Sequence, residues 1–259
     1  MRIFYDLPSL HGQIINPAVT VGSFDGVHAG HREILSCLRQ CAARQGGESV
    51  VVTFDPHPRQ VIQQEQGVCL LNSLEEKIDL FEHIGIDNVL VIPFTPEFSR
   101  LSSAEFARRY LLEGIGAKTI VMGYNHHFGF GREGNRDYLE ALRPEYDFEV
   151  CQLPKHDVAD RKVSSTVLRS LIQSGDMASV NELLTEPYFF IARLSGNGLL
   201  EYGEPLKLFP PEGTYPVEVE NENSRFRTHL LIAPGKVLTL SDPVRSDGFA
   251  DQKWIVRFL

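Results

Sequence analysis

Val19-Thr20-Val21-Gly22-Ser23-Phe24-Asp25-Gly26-Val27-His28-Ala29-Gly30-His31 is the stretch whose reading decides the fold. Its opening residues are β-branched and read as a short strand. Gly22, Gly26 and Gly30 then read as a glycine-rich turn. Beyond them Ile34, Leu35, Leu38 and Cys41 recur at the spacing of an amphipathic helix. A strand-to-helix turn of this kind lets backbone approach a ligand closely, and the helix start offers unpaired N–H groups to an anion. Two imidazoles, His28 and His31, lie in the same turn. The pattern predicts a phosphate site.

Working outward, Ser49-Val50-Val51-Val52-Thr53-Phe54 is an apolar run that Asp55-Pro56-His57-Pro58 brings to a stop. A buried parallel strand reads this way. Leu74 to Gly85 predicts a helix ending on glycine, Val89 to Phe94 a strand, Ser103 to Leu112 a helix, and Thr119 to Gly123 a strand. Strands and helices alternating at this spacing predict a doubly wound parallel sheet. In such sheets ligands bind beyond the carboxyl ends of the strands. Those ends carry Gly22 to His31, Asp55 to Pro58, Pro93-Phe94 and Gly123-Tyr124-Asn125-His126-His127-Phe128-Gly129, so polar and glycine-rich residues collect on one rim.

A second anion cradle is read at Lys162 to Arg169, where Ser164 or Ser165 is a natural N-cap for a helix carrying Leu168, Leu171 and Ile172. Three hydroxyls, Ser164, Ser165 and Thr166, with Arg169 close by, favour an anion modestly over plain capping. From about residue 187 the texture changes to dense proline and glycine with short alternating strands at Tyr188–Leu194, Tyr215–Glu220, His229–Ala233 and Trp254–Leu259. The expected organisation is a domain over residues 1–186 and a small antiparallel β module over 187–259. A module of roughly 70 residues lies near the lower limit for independent stability.

Composition bounds the partners. A net charge of −9 argues against a general nucleic-acid binder, although a local field in a cleft can still attract an anionic small molecule. Nothing approaches the ~18 uninterrupted apolar residues of a membrane span. The N-terminus lacks the apolar run of a signal peptide. Cys37, Cys41, Cys69 and Cys151 show no paired metal spacing, and no C-x-x-C exists to join a histidine, so no zinc site is expected. Cys37 and Cys41, one helical turn apart, read as reduced thiols, which fits a cytoplasmic protein.

Taken together, five ordered motifs resemble the bacterial bifunctional riboflavin kinase/FMN adenylyltransferase (FAD synthetase) family. They are Gly22 to His31, Thr53 to Pro58, Phe94-Thr95-Pro96-Glu97-Phe98 with Ser103 to Phe106, Gly123 to Gly129, and Ser164 to Arg169 followed by Gly175-Asp176. The H-x-G-H element alone marks only a nucleotidyltransferase superfamily; the other four motifs make the resemblance specific to the adenylyltransferase module, over about residues 14–186. It implies a Rossmann-like, doubly wound α/β fold of the H-x-G-H nucleotidyltransferase type. It also implies ATP and FMN as substrates, FAD and pyrophosphate as products, and Mg²⁺ accompanying the triphosphate, held largely by phosphate oxygens and water. No nucleic-acid or membrane partner is implied.

By the same resemblance His28, His31, Ser165, Thr166 and Arg169 are the catalytic set. Gly22, Ser23, Phe24, Asp25, Gly26, Gly30 and Ser164 shape the ATP site, and Asp55, His57, Asn125 and Phe128 fall on the flavin side. Ser23 replaces a common asparagine and Asn125 a frequent aspartate, both mild departures. His126 and His127 depart further from the family pattern, carry no assigned role, and read as exposed loop histidines. In the tail, Tyr188 to Ala192 and Pro211-Glu212-Gly213-Thr214-Tyr215-Pro216-Val217 resemble strands of the family's kinase barrel. No proline there is followed by the Thr-Ala-Asn of its signature, so riboflavin kinase activity is expected to be absent. Two other readings compete with FMN adenylyl transfer. One is a sister nucleotidyltransferase with another phosphate acceptor; the other is a non-catalytic flavin- or nucleotide-binding regulator.

Overall fold

The computed structural model describes residues 1–62, 69–154, 163–195, 199–241 and 252–259; Lys162, which opens the segment read as a second cradle, lies outside them. The chain divides into two compact units. The first comprises Met1–Phe24, Gly30–Val68 and Ile78–Arg161.

Its centre is a six-stranded sheet of β1 (Arg2–Phe4), β2 (Ala18–Val21), β3 (Ser49–Asp55), β4 (Asn88–Pro93), β5 (Thr119–Met122) and β6 (Glu149–Gln152). The spatial order is β1-β4-β3-β2-β5-β6 and every pairing is parallel. Parallel pairing demands covered faces, and the interior strands supply them: Val50, Val51 and Val52 of β3 and Val89 and Leu90 of β4 are fully buried. The short, polar edge strands β1 and β6 gave no such run and escaped the sequence reading. Strand order reverses at β2, with β3 on one side and β5 on the other. That is the switch point beyond which open α/β sheets bind ligands, and the turn that begins at Gly22 follows directly from it.

Short helices α1 (Leu7–Leu10) and α3 (Pro58–Ile62) accompany the longer crossovers α2 (Ala29–Arg44) and α4 (Leu74–Ile84). The expected helix over Ser103–Leu112 is α5 (Ser103–Phe106) running into a π-helical turn at Ala107–Leu112. It opens on a reciprocal capping box between Ser102 and Glu105. Helix α6 (Arg136–Leu142) lies between β5 and β6. The face of α2 bearing Leu35, Leu38, Cys41 and Ala42 is buried, as its periodicity requires.

The second unit comprises Asp25–Ala29, Cys69–Lys77 and Lys162–Leu259. Helices α7 (Ser165–Ser174) and α8 (Met177–Leu183) precede β7 (Phe189–Leu194), β8 (Leu200–Glu201), β9 (Gly213–Glu220), β10 (Arg225–Ala233), β11 (Val237–Leu240) and β12 (Lys253–Phe258). These strands form an antiparallel sheet ordered β11-β10-β9-β12-β7-β8, and a bridge between Leu199 and Thr239 brings its two ends together like a barrel. Inward positions alternate, as with Trp254, Val256 and Phe258 on β12. Leu168, Ile172, Met177 and Val180 of α7 and α8 share one core with these barrel residues. That shared core is why the unit starts well before residue 187, where the sequence texture changes.

Candidate functional site

In the first unit, Gly22 leaves β2 with its N–H donated to the Val52 carbonyl at 3.0 Å. Phe24 follows in the left-handed region (φ 48°) and is buried. Its ring meets the edge of His31 at 5.3 Å and of Phe81 at 5.6 Å between centroids. Phe24, read as an ATP-site residue, therefore props the imidazole of His31 from the protein side. Gly30 and His31 occupy the first turn of α2, where backbone amides lack partners within the helix.

At the end of β3, the Asp55 side chain is exposed and the peptide to Pro56 is cis. His57 is buried, and its Nδ1 accepts the Arg59 amide at 3.1 Å. That contact fixes the neutral tautomer with its proton on Nε2. The Thr53 hydroxyl is fully buried with no hydrogen-bond partner among the described residues. Asn125 is exposed. Phe128 instead belongs to the core against Phe106 and Tyr138, held by paired backbone bonds to Gly134 at 3.0 Å. His127 is exposed, but His126 is half-buried, which corrects its reading as a solvent-facing loop histidine. Burial, with His127 and Arg132 nearby, pushes the His126 imidazole down to about 4.

In the second unit, the Asp25 carboxylate is buried and has three partners. It accepts the amides of Leu71 at 2.9 Å and Asn72 at 3.2 Å, and it forms an ion pair with Arg169 Nη2. The Gly26 amide donates to Asn72 Oδ1 at 3.0 Å. Gly26 holds φ +94°, and a Cβ there would stand 2.7 Å from Leu71 Cδ1, so only glycine fits. Arg169 Nε donates to the Cys69 carbonyl at 2.9 Å, while its buried Nη1 has no hydrogen-bond partner among the described residues. The guanidinium is thus fixed by two of its nitrogens. Burial lowers the His28 pKa from its ordinary value, against a backbone hydrogen bond and the Asp25 carboxylate.

Ser164 is the N-cap of α7, accepting the Val167 amide at 3.3 Å, which settles the choice between Ser164 and Ser165. Ser165 donates its hydroxyl to the Asp25 carbonyl at 2.8 Å and so braces the turn. Thr166 is exposed on the first turn of α7. The structure brings Asp25, Ser165 and Arg169 together from opposite ends of the sequence. Periodicity missed the residues that hold Asp25–Ala29 in place: Asn72 and, beyond it, Glu76 and Lys207. Lys207 is buried with all three ammonium protons used, by Glu76 Oε2 at 2.6 Å and the carbonyls of Leu71 at 2.6 Å and Phe189 at 2.7 Å. Burial lowers its pKa, against the attraction of Glu76.

Comparison with known proteins places these residues in a family. The FAD synthetase family model matches residues 13–167. The bifunctional riboflavin kinase/FMN adenylyltransferase of Listeria monocytogenes is 35% identical over 175 residues, 67% of this chain and 55% of that protein. The Pseudomonas fluorescens protein of the same name is 31% identical over 229 residues, covering 85% of this chain and 73% of its own length. The matched segment thus spans about half the length of the Listeria relative. A crystal structure of Macrolide-efflux Protein from Streptococcus pneumoniae has the same fold, with a TM-score of 0.81 over 99% of this chain and 97% of that one at 22% identity. Since the matched segment runs from before β2 through the cap of α7, and so takes in the braced turn and both strand-end loops, this chain belongs to the FAD synthetase family.

Proposed function

We propose that this protein is an FMN adenylyltransferase, joining FMN to the AMP portion of ATP to give FAD and pyrophosphate. The observation that carries the reading is the braced turn: Asp25 held by Arg169 and two amides, with Arg169 Nη1 left without a hydrogen-bond partner among the described residues. Transfer of a phosphorus group needs little covalent chemistry from the protein and much positioning and charge neutralisation. The FMN phosphate attacks the α-phosphorus in line, the bond to the bridging oxygen of the β-phosphate breaks, and pyrophosphate leaves with that electron pair. His28, which burial keeps neutral, donates a ring N–H to the phosphates, as does His31 on the first turn of α2. Arg169 and Thr166 serve the leaving phosphates. Ser165 acts by holding the Asp25 carbonyl. Asp55, His57 and Asn125 are assigned to the flavin side.

Mg²⁺ is assigned to the substrate rather than to a protein cage. Asp25 is already committed to Arg169 and two amides, and among the described residues the one cluster of three ion-ligating side chains consists of thiols. Neither suits a hard cation that takes oxygen ligands. When bound, Mg²⁺ neutralises phosphate charge. Riboflavin kinase activity is absent in this proposal, because the tail lacks the Pro-Thr-Ala-Asn signature. Incubation of the purified protein with ATP, Mg²⁺ and either FMN or riboflavin, followed by chromatography, tests both claims. FAD from FMN and no product from riboflavin is the expected result. FMN formed from riboflavin would overturn the kinase claim, and no FAD from FMN would favour a binding protein or another acceptor.

A further inference from the structure

Away from the phosphate-binding turn, the first unit gathers three of the chain's four cysteines. Cys37 and Cys41 lie one turn apart on α2, and Cys151 comes from edge strand β6. The Cys37 and Cys151 sulfurs are 3.4 Å apart, and all three lie within 4.8 Å of one another. The spacing in sequence argued against a metal because no C-x-x-C is present. The fold supplies the third sulfur from a strand that sequence patterning did not reveal.

We propose that Cys37, Cys41 and Cys151 form a binding site for one thiophilic d¹⁰ divalent cation of the Zn²⁺ type, held by three thiolates with solvent in the fourth position. Sulfurs each ~2.3 Å from one tetrahedral ion stand about 3.8 Å apart, a spacing that the observed separations bracket. Cys41 is buried while Cys37 and Cys151 are half-buried, which leaves a solvent side for the fourth ligand. Charge also balances. Three thiolates and a divalent ion leave one negative charge, and Arg44 Nη2 lies 3.2 Å from Cys41 Sγ to offset it. A soft sulfur set selects such an ion over Mg²⁺. Burial and the neighbouring thiols push Cys37 up to about 12, so this thiol is no ready nucleophile. Binding exchanges three thiol protons for the ion and ties the helix that begins at the phosphate-binding turn to the edge of the sheet.

The test is titration of the full chain, kept reduced, with Co²⁺ as a spectroscopic probe and then with Zn²⁺ in competition. One equivalent of Co²⁺ should give intense sulfur-to-metal charge-transfer bands together with tetrahedral ligand-field bands, and one equivalent of Zn²⁺ should abolish both. Cys37→Ser and Cys151→Ser should each weaken Zn²⁺ binding by more than the ~10–100-fold that loss of an outer-shell partner costs. Cys69→Ser should leave binding unchanged. A Co²⁺ spectrum of the unaltered protein without charge-transfer bands overturns the proposal, whatever the variants do. So does tight binding that survives both substitutions.

Discussion

His31 shows how little a side chain's role depends on its type alone. Its imidazole is set by the edge contact with Phe24, whose own left-handed backbone makes the turn possible. His31→Ala should therefore lower turnover on the order of 100-fold, the cost of removing one preorganised transition-state donor, while the flavin dissociation constant stays nearly constant. Separate measurement of kcat and of flavin binding checks this; equal losses in both would make the histidine structural. His126 sets a pH dependence. Its folded value of about 4 lies below the ordinary 6.5, so the unfolded chain binds the extra proton first. Stability should rise as pH increases from about 4 to about 6.5, and His126→Gln should flatten that slope by roughly 1–2 kcal/mol in urea titrations at the two pH values. The histidines and glycines of the turn were legible because the motif is local. The engagement of Asp25 was not, since its partners Leu71, Asn72 and Arg169 lie far away in sequence.

Elements were legible in proportion to burial. Strands β3 and β4 announce themselves as apolar runs because both faces are covered, whereas β1 and β6 are short edges with polar side chains. The same edge strand delivers Cys151, so overlooking β6 also hid the thiol cluster. The turn from Asp25 to Ala29 depends on a residue without a side chain. Gly26→Ala must adopt φ +94° against Leu71, which should cost ~1–3 kcal/mol in chemical denaturation and reduce turnover along with it. Arg169→Ala should cost about 2–3 kcal/mol, because it leaves the buried Asp25 carboxylate with only its two backbone donors. Arg169→Lys should recover part of that stability but little activity, since lysine cannot reproduce the fork that reaches the Cys69 carbonyl and Asp25 together. Full activity in the lysine variant would remove Arg169 from the phosphate site.

At the scale of the molecule, the parallel sheet and the antiparallel tail were both readable, but the division between compact units was not. Sequence texture changes near residue 187, while contacts join residues 25–29 and 69–77 to α7, α8 and the barrel. Leu71 in the shared core and long-range polar bonds make those joins, and periodicity carries no trace of them. Lys207 is the clearest case, holding the 69–77 segment through Leu71 and Glu76 and the barrel through Phe189. Lys207→Met should cost ~3–5 kcal/mol by stranding the Glu76 carboxylate, and adding Glu76→Leu should restore much of the loss; equilibrium unfolding of the two variants checks both signs. Such joins matter because they fix the turn that the proposed chemistry uses. That chemistry is tested most directly by following labelled phosphorus from ATP into product with FMN as acceptor. The account predicts that label at the α-phosphorus appears in FAD and label at the γ-phosphorus appears in pyrophosphate. Label from the γ-phosphorus in a flavin product, or no α-label in FAD, would contradict it.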